Sequence, residues 1–456
     1  MIAIELNDAG IRVADASRAL AESPGYAHLT GDGMQFGQVA LGRAKLEPSL
    51  SFNRYWQHLD DQPLARAHVQ ARSQADLVHG HLQALWSALS EAPEDVVLVL
   101  PGTWSRDQIG LLLGIAEALD MPVRLLVDAS LAAAKVPADC ARLLHLDLHL
   151  HQAVLSTLTQ TDTLSVTAAQ RIDDVGLIGF REDWARSIGR RFVRETRFDP
   201  LHRAQTEQAL HDALPALLEN LSTEGRGTLE LAAGETPYPL TLGCADLSTA
   251  SSARVEVLLR EIGRLAATDG VTEVQLTARS AEVPGLIQAI EAVPDLRAHA
   301  LTADAAVRGG LALATTVSHR TDGVAWIRSR PLNEHAASGL PPGREDVPPL
   351  PPPTHLLYQD RAHVIGPQPL VVGRAPPAGS YGLRLDGELR GVSREHCSVR
   401  LDPQGAVVQD LSRYGTYLNG QRLDGEVYLR PGDRVRIGTP GVELLLIRAV
   451  GHDEAS

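Results

Sequence analysis

The chain has 456 residues, 44% of them hydrophobic, and a formal net charge of −14. That length predicts two or three domains rather than one core. The composition is globular, without an apolar run of membrane-spanning length, and the acidic balance excludes a general nucleic-acid binder, which needs a basic face. Cys140, Cys244 and Cys397 are too scattered for a disulfide framework or a zinc site. The opening MIAIELNDAG has no basic segment followed by an apolar stretch, so a cytoplasmic protein without membrane attachment is expected. Only Lys45 and Lys135 are lysine among 42 basic residues. Arginine's planar fork suits phosphate recognition.

In chain order, MIAIEL and DVVLVLPG read as strands. RDQIGLLLGIAEALD follows Ser105 as an amphipathic helix, PVRLLVD is a strand, and SLAAAK starts a helix. ARLLHLDLHLHQAVLSTL followed by TLSVTAAQRI reads as a hairpin. EDWARSIGRRFVRE, RAQTEQALHDALPALLENL and VEVLLREIGRLAATDG are helices, and TEVQLTA is a strand. Glu182 or Asp183, in GLIGFREDW, is expected near a helix start, where negative charge is favoured. The alternation predicts an α/β region with mixed sheets in two halves. PPGREDVPPLPPP, residues 341–353, reads as a semi-rigid linker. After it, short runs such as PLVVGR, YGLRL, HCSVRL, AVVQDL and DRVRIG are punctuated by Gly, Pro, Asp and Asn. They predict a β-sandwich or barrel.

Within this β-region, loops collect phosphate-binding donors. VVGR ends with Arg374, GVSREHC offers Ser393 and Arg394, and DLSRYGTYLNG offers Ser412, Arg413 and Tyr414. The order Gly373-Arg374, then Ser393 to His396, then Gly415 to Gly420, then Pro431 to Gly438 resembles the forkhead-associated (FHA) domain over about residues 354–450. The resemblance implies a β-sandwich that binds phosphothreonine peptides through loops at one end. Arg374, Ser393 and Arg394 are then expected to touch phosphate, with Ser412, Arg413 and Tyr414 beside them. Gly373, His396, Gly415 and Asn419 are expected to shape the loops. Tyr414 departs from the family pattern, in which many members carry an asparagine that bonds the peptide backbone.

The earlier segments, DVVLVLPGTWSRDQIGLLLGIAEALDMPVRLLVDASLAAA, LLHLDLHLHQAVLSTL and VTEVQLTARSAEVPGLIQAIEAV, resemble the actin-like ATPase superfamily in order and length. The nucleotide-binding domain of the seventy-kilodalton heat-shock chaperones is the nearest likeness, over about residues 1–316. A connecting segment, 317–353, and a tail, 451–456, complete the expected layout. In that superfamily, glycine-rich turns let the backbone approach nucleotide phosphates. Here the first turn offers Glu5, Asn7, Asp8 and Ala9, the second keeps Asp147 but adds His149, Leu150 and His151, and the third reads Thr277-Ala278-Arg279. Asp128 aligns with a catalytic acid. The resemblance therefore implies a vestigial cleft containing Glu5, Asp8, Asp128, Asp147, His149 and His151, with no catalytic residue.

His145, Asp147, His149 and His151 alternate, and a strand would place them on one face, as metal ligands or as a polar cleft wall. Same-face neighbours are about 7 Å apart along a strand, so one strand closes a four-ligand site poorly. No metal or other cofactor is expected. No nucleophile elbow, Walker A sequence or HExxH is present. The expected function is a bacterial-type signalling adaptor: a pseudo-ATPase body carrying an FHA module that recruits a threonine-phosphorylated partner, the substrate of a Ser/Thr kinase. The alternative is an active, ATP- and Mg²⁺-dependent chaperone-like switch regulated by that module.

Overall fold

Ile2–Glu5 and Val96–Leu100 are buried at every position, as their unbroken apolar runs require of strands covered on both faces. In the computed structural model they pair in parallel at the centre of a six-stranded sheet. Its order is Ala325–Ile327, Val123–Asp128, Val96–Leu100, Ile2–Glu5, Ile11–Ala14, Ala19–Ser23. A second six-stranded sheet runs Leu296–Ala300, Thr272–Leu276, Arg142–Leu148, Gln152–Gln160, Thr163–Asp173, Ser329–Pro331. The two sheets share one plan. Each has a three-strand antiparallel meander, with parallel strands added beside the meander's first strand. Both belong to a unit spanning 1–339; a second unit spans 340–456. The structure describes all residues except 65–67, 137–141, 235, 267–269, 318–323, 333–352, 359–360, 378–380, 386–390, 403–404, 419–420, 424, 430–432, 439–441 and 448–456.

Local sequence explains the supporting helices. Ser105 caps Arg106–Ala118 through a reciprocal bond pair with Gln108, which satisfies two otherwise orphaned helix-start donors. Phe180, Trp184, Ile188 and Phe192, all buried, recur every four residues and give the helix Leu177–Thr196 one apolar stripe.

Three expectations are corrected. The run read as a hairpin is a three-strand meander, because the chain turns at 149–151 between Arg142–Leu148 and Gln152–Gln160. The helix expected to start near Glu182 begins at Leu177, since the Leu177 and Ile178 N–H groups bond the His149 and Leu150 carbonyls at 2.9 and 3.0 Å. Glu182 and Asp183 lie a turn further in and pair with Lys45 and Arg254. Finally, part of the expected connecting segment belongs to the body: Ala325–Ile327 and Ser329–Pro331 form edge strands of its two sheets. Residues 341–352 of the expected linker lie outside the described residues, as do the 451–456 tail and Cys140.

The second unit stacks two sheets. One contains Leu370–Gly373, Cys397–Asp402 and Gly405–Asp410; the other contains His355–Tyr358, Thr416–Leu418, Arg434–Ile437 and Val442–Ile447. Leu370, Val372, Val399, Val408, Val435, Ile437, Leu444 and Leu446 share one core, which makes the unit a β-sandwich. Cys397 lies in that core, and burial pushes its thiol up to about 12, so it packs as a small apolar group.

Candidate functional site

The loop cluster at one end of the sandwich is built around Gly373. The Arg374 N–H donates to the Ser393 carbonyl at 3.1 Å and the Ala375 N–H to the Arg394 carbonyl at 3.0 Å. A Cβ at Gly373 would lie 2.2 Å from the Arg394 oxygen, so this contact needs glycine.

His396 holds the next layer. It is 0% exposed. Its Nδ1 accepts from the Ser393 N–H at 3.0 Å, so the proton sits on Nε2, which faces the Gly415 carbonyl at 3.2 Å. Burial keeps its pKa below the usual histidine value. A neutral ring thus braces two loops from inside. Beyond it, the Leu411 N–H donates to the His396 carbonyl at 2.8 Å. Asp410 accepts from the Ser412 N–H at 3.0 Å and the Thr416 hydroxyl at 2.7 Å. Burial pushes this carboxyl up, but the hydrogen bonds from Thr416 and Ser412 prevail and hold it below its usual range. Ser412 Oγ accepts from the Gly415 N–H at 2.7 Å, and Gly415 has the left-handed φ of 91° that favours glycine.

These bonds assemble segments 373–375, 391–396 and 411–415. The Arg413 N–H points to Ser393 Oγ at 3.4 Å, so Ser393 and Arg413 meet across 20 residues. Arg374, Arg394 and Arg413 are exposed, and none forms an ion pair with a described residue. Ser393 is half-buried between them in sequence and Tyr414 is exposed. Ser412 Oγ accepts from Gly415 and its hydroxyl also bonds the Asp410 carboxylate, so it serves the turn. Asn419 lies outside the described residues. The platform presents cationic and hydroxyl donors on a hydrogen-bonded backbone, a chemistry suited to a doubly charged anion. Residues 370–438 match the FHA domain family. No curated protein matches the chain. The second unit thus carries an FHA domain.

The body brings its three expected turns together differently. Asn7 Nδ2 donates to Asp147 Oδ2 at 2.9 Å and to the Leu148 carbonyl at 3.2 Å. Asp8 Oδ1 accepts from the Leu150 N–H at 2.8 Å and lies 3.2 Å from His149 Nδ1. Arg279 Nη1 lies 3.2 Å from Glu5 Oε1 and 3.8 Å from Asp147 Oδ1. Thr277 Oγ1 donates to Asp147 Oδ1 at 2.9 Å. Glu5, Asp8, Asp147 and His149 are all buried.

Their titration follows from those neighbours. Burial pushes Glu5 above the usual carboxylate range despite Arg279. Burial also works against ionised Asp147, but Arg279 and His149 outweigh it and hold this carboxyl low. For His149, burial opposes the charge, yet the Asp8 hydrogen bond and Asp147 prevail and raise its pKa. The cluster therefore balances charges inside itself.

Two predicted members stand apart. Asp128 bonds the Ser130 N–H at 3.0 Å, the Ser130 hydroxyl at 2.6 Å and Arg328 Nε at 3.3 Å. His151 Nε2 contacts Asn53 Oδ1 at 3.0 Å. The expected single face of His145, Asp147, His149 and His151 is broken by the turn after Leu148, and among the described residues no cluster of three or more His, Cys, Asp or Glu is arranged to hold a metal.

A cavity of about 160 Å³ remains beside Glu5, Thr277, Arg279 and Glu282, below the roughly 300–1,000 Å³ of ligand pockets. A second, of about 520 Å³, is lined by Tyr26, Lys45, Asn53, Arg181 and His211. The Lys45 N–H bonds Gln208 Oε1 at 2.9 Å, and its ammonium pairs with Glu182 and Glu207. These ties, like Arg279 to Glu5, link residues more than 130 positions apart and leave no periodic signal in sequence.

Proposed function

We propose that this chain is a cytoplasmic signalling adaptor whose FHA domain binds a threonine-phosphorylated partner, the substrate of a Ser/Thr kinase. Arg374, Ser393, Arg394 and Arg413 grip the phosphate. The carrying observation is that Arg374, Ser393, Arg394 and Arg413 stand on loops tied together by backbone bonds and braced by His396, with the three arginines exposed and in no ion pair with a described residue. The body acts as a pseudo-ATPase scaffold of actin-like fold. Its repeated sheet plan supports that ancestry, and the paired side chains at the three turns support loss of a phosphate cradle. Titrating the full chain with a degenerate phosphothreonine peptide pool tests the binding. Only the phosphorylated pool should bind; equal binding of an unphosphorylated pool, or none of either, would overturn the proposal.

The 520 Å³ cavity favours a second reading, an ATP-driven switch gated by the FHA domain. That reading predicts stabilisation by Mg-ATP of about 2.7 kcal/mol at one hundred times the dissociation constant. A thermal-shift measurement at millimolar Mg-ATP separates the two.

A further inference from the structure

We infer that the larger cavity of the body binds a small monocarboxylate with an apolar tail, its carboxylate held by Arg181 and the Tyr26 hydroxyl. This site is independent of the phosphate-binding platform on the FHA domain.

The cavity of about 520 Å³ has the size of a small-molecule pocket, in which apolar walls carry a few convergent polar groups. Ala9, Leu41, Ala44 and Ile178, all on its lining, pack with the buried Tyr26 in one apolar cluster. Arg181 and His211 reach the cavity from the helices Leu177–Thr196 and Ala204–Glu224. Most charged groups on the lining already have partners. The Lys45 ammonium pairs with Glu182 and Glu207, and Glu22 pairs with Arg12 at 2.8 Å. Asp212 accepts from Gln208 Nε2 at 2.8 Å. Arg181 differs. Its sequence neighbours Glu182 and Asp183 are taken by Lys45 and Arg254, and Arg181 forms no ion pair with a described residue.

A neutral donor stands with this guanidinium. Burial raises the pKa of the Tyr26 hydroxyl, while Arg181 and the Asn53 amide pull it back, so both lie near that hydroxyl. Asn53 Oδ1 is held in turn by His151 Nε2 at 3.0 Å, which leaves the amide nitrogen to face Tyr26 and the phenol proton free to donate. His211 adds no charge, since burial lowers its pKa to about 4. The lining therefore sets two cations, Lys45 and Arg181, against three carboxylates, Glu22, Glu182 and Asp212. That excess of negative charge disfavours a polyphosphate. A single carboxylate instead takes the guanidinium left without an ion pair, whose planar fork matches both of its oxygens. The apolar wall covers the tail.

The test is isothermal titration calorimetry on the full chain at neutral pH. The probes are octanoate, benzoate and phenylpropionate, each beside its primary amide, which keeps the tail and removes the charge. At least one carboxylate should bind about tenfold or more tightly than its amide. Arg181→Gln should weaken that carboxylate about 10- to 100-fold and leave the amide unchanged, whereas Arg181→Lys should keep part of the preference. Tyr26→Phe should weaken the carboxylate by several fold, the effect of one neutral hydrogen bond. Unfolding of the ligand-free Arg181→Gln chain should match the parent, since no ion pair is lost. Mg-ATP should not displace the bound carboxylate. Three results would overturn the inference: no carboxylate binds, an amide binds as tightly as its carboxylate, or the preference survives Arg181→Gln. Displacement by Mg-ATP would give the cavity to a nucleotide and overturn it as well.

Discussion

Arginine serves opposite ends in the two units. In the body, Arg279, its side chain 13% exposed, lies between Glu5 and Asp147, so its charge is consumed in holding three turns together. At the FHA loops, Arg374, Arg394 and Arg413 stay exposed and form no ion pair with a described residue. A paired buried charge is a structural element, whereas an unpaired charge on a braced loop is available to a ligand. Element order therefore carries less functional weight than the state of the side chains.

The comparison breaks most visibly if Arg279 is removed. Arg279→Met should destabilise the body by about 3–5 kcal/mol in denaturant unfolding, because Glu5 and Asp147 lose their buried countercharge. A change below 1 kcal/mol would mean that the cluster is not a structural element. Next in size, Arg374→Ala should weaken phosphothreonine peptide binding by about 10- to 100-fold, or 1.5–3 kcal/mol. Being exposed and unpaired, Arg374 should leave unfolding of the FHA unit within about 0.5 kcal/mol of the parent. A stability loss as large as the affinity loss would assign it a structural role instead.

The smallest effects are pH responses of opposite sign. His149 has a raised pKa in the folded body. Its contribution is complete below its ordinary value of 6.5 and lost as pH rises through the folded value. His396 has a lowered pKa. Its contribution is complete above 6.5 and lost as pH falls through the folded value, when protonation removes the acceptor for the Ser393 N–H. Unfolding of each unit between pH 5 and 9 should show the body's His149 component falling on the alkaline side and the FHA unit's His396 component on the acid side. His149→Gln and His396→Gln should remove the respective slopes; unchanged slopes would contradict these assignments.

Legibility in sequence followed the range of the interactions. The FHA loops were readable because Gly373, Ser393, His396 and Gly415 act through turns and close backbone contacts with strong residue preferences. The strand Ile2–Glu5 and the helix Arg106–Ala118 were readable from apolar runs and the Ser105 cap. The turn at 149–151 was not legible from periodicity, because its apolar and polar residues alternate like a strand and no Gly, Pro or Asn marks it; only the resemblance to phosphate-binding turns placed one there. Part of what holds it is Asp8 accepting from Leu150 across 142 positions. Of the six residues expected to share one cleft, Glu5, Asp8, Asp147 and His149 meet, whereas Asp128 and His151 take other partners. Arg279 was placed at a turn, but its grip on Glu5 spans 274 positions and had no local signature.

Thermal unfolding of the full chain, with each unit followed separately and Mg-ATP and a phosphothreonine peptide added in turn, tests the central claim most directly. The phosphopeptide should raise the transition of residues 340–456, Arg374→Ala should abolish that rise, and millimolar Mg-ATP should move neither transition. A nucleotide-dependent rise in the body's transition, or a phosphopeptide rise that survives Arg374→Ala, would contradict the account.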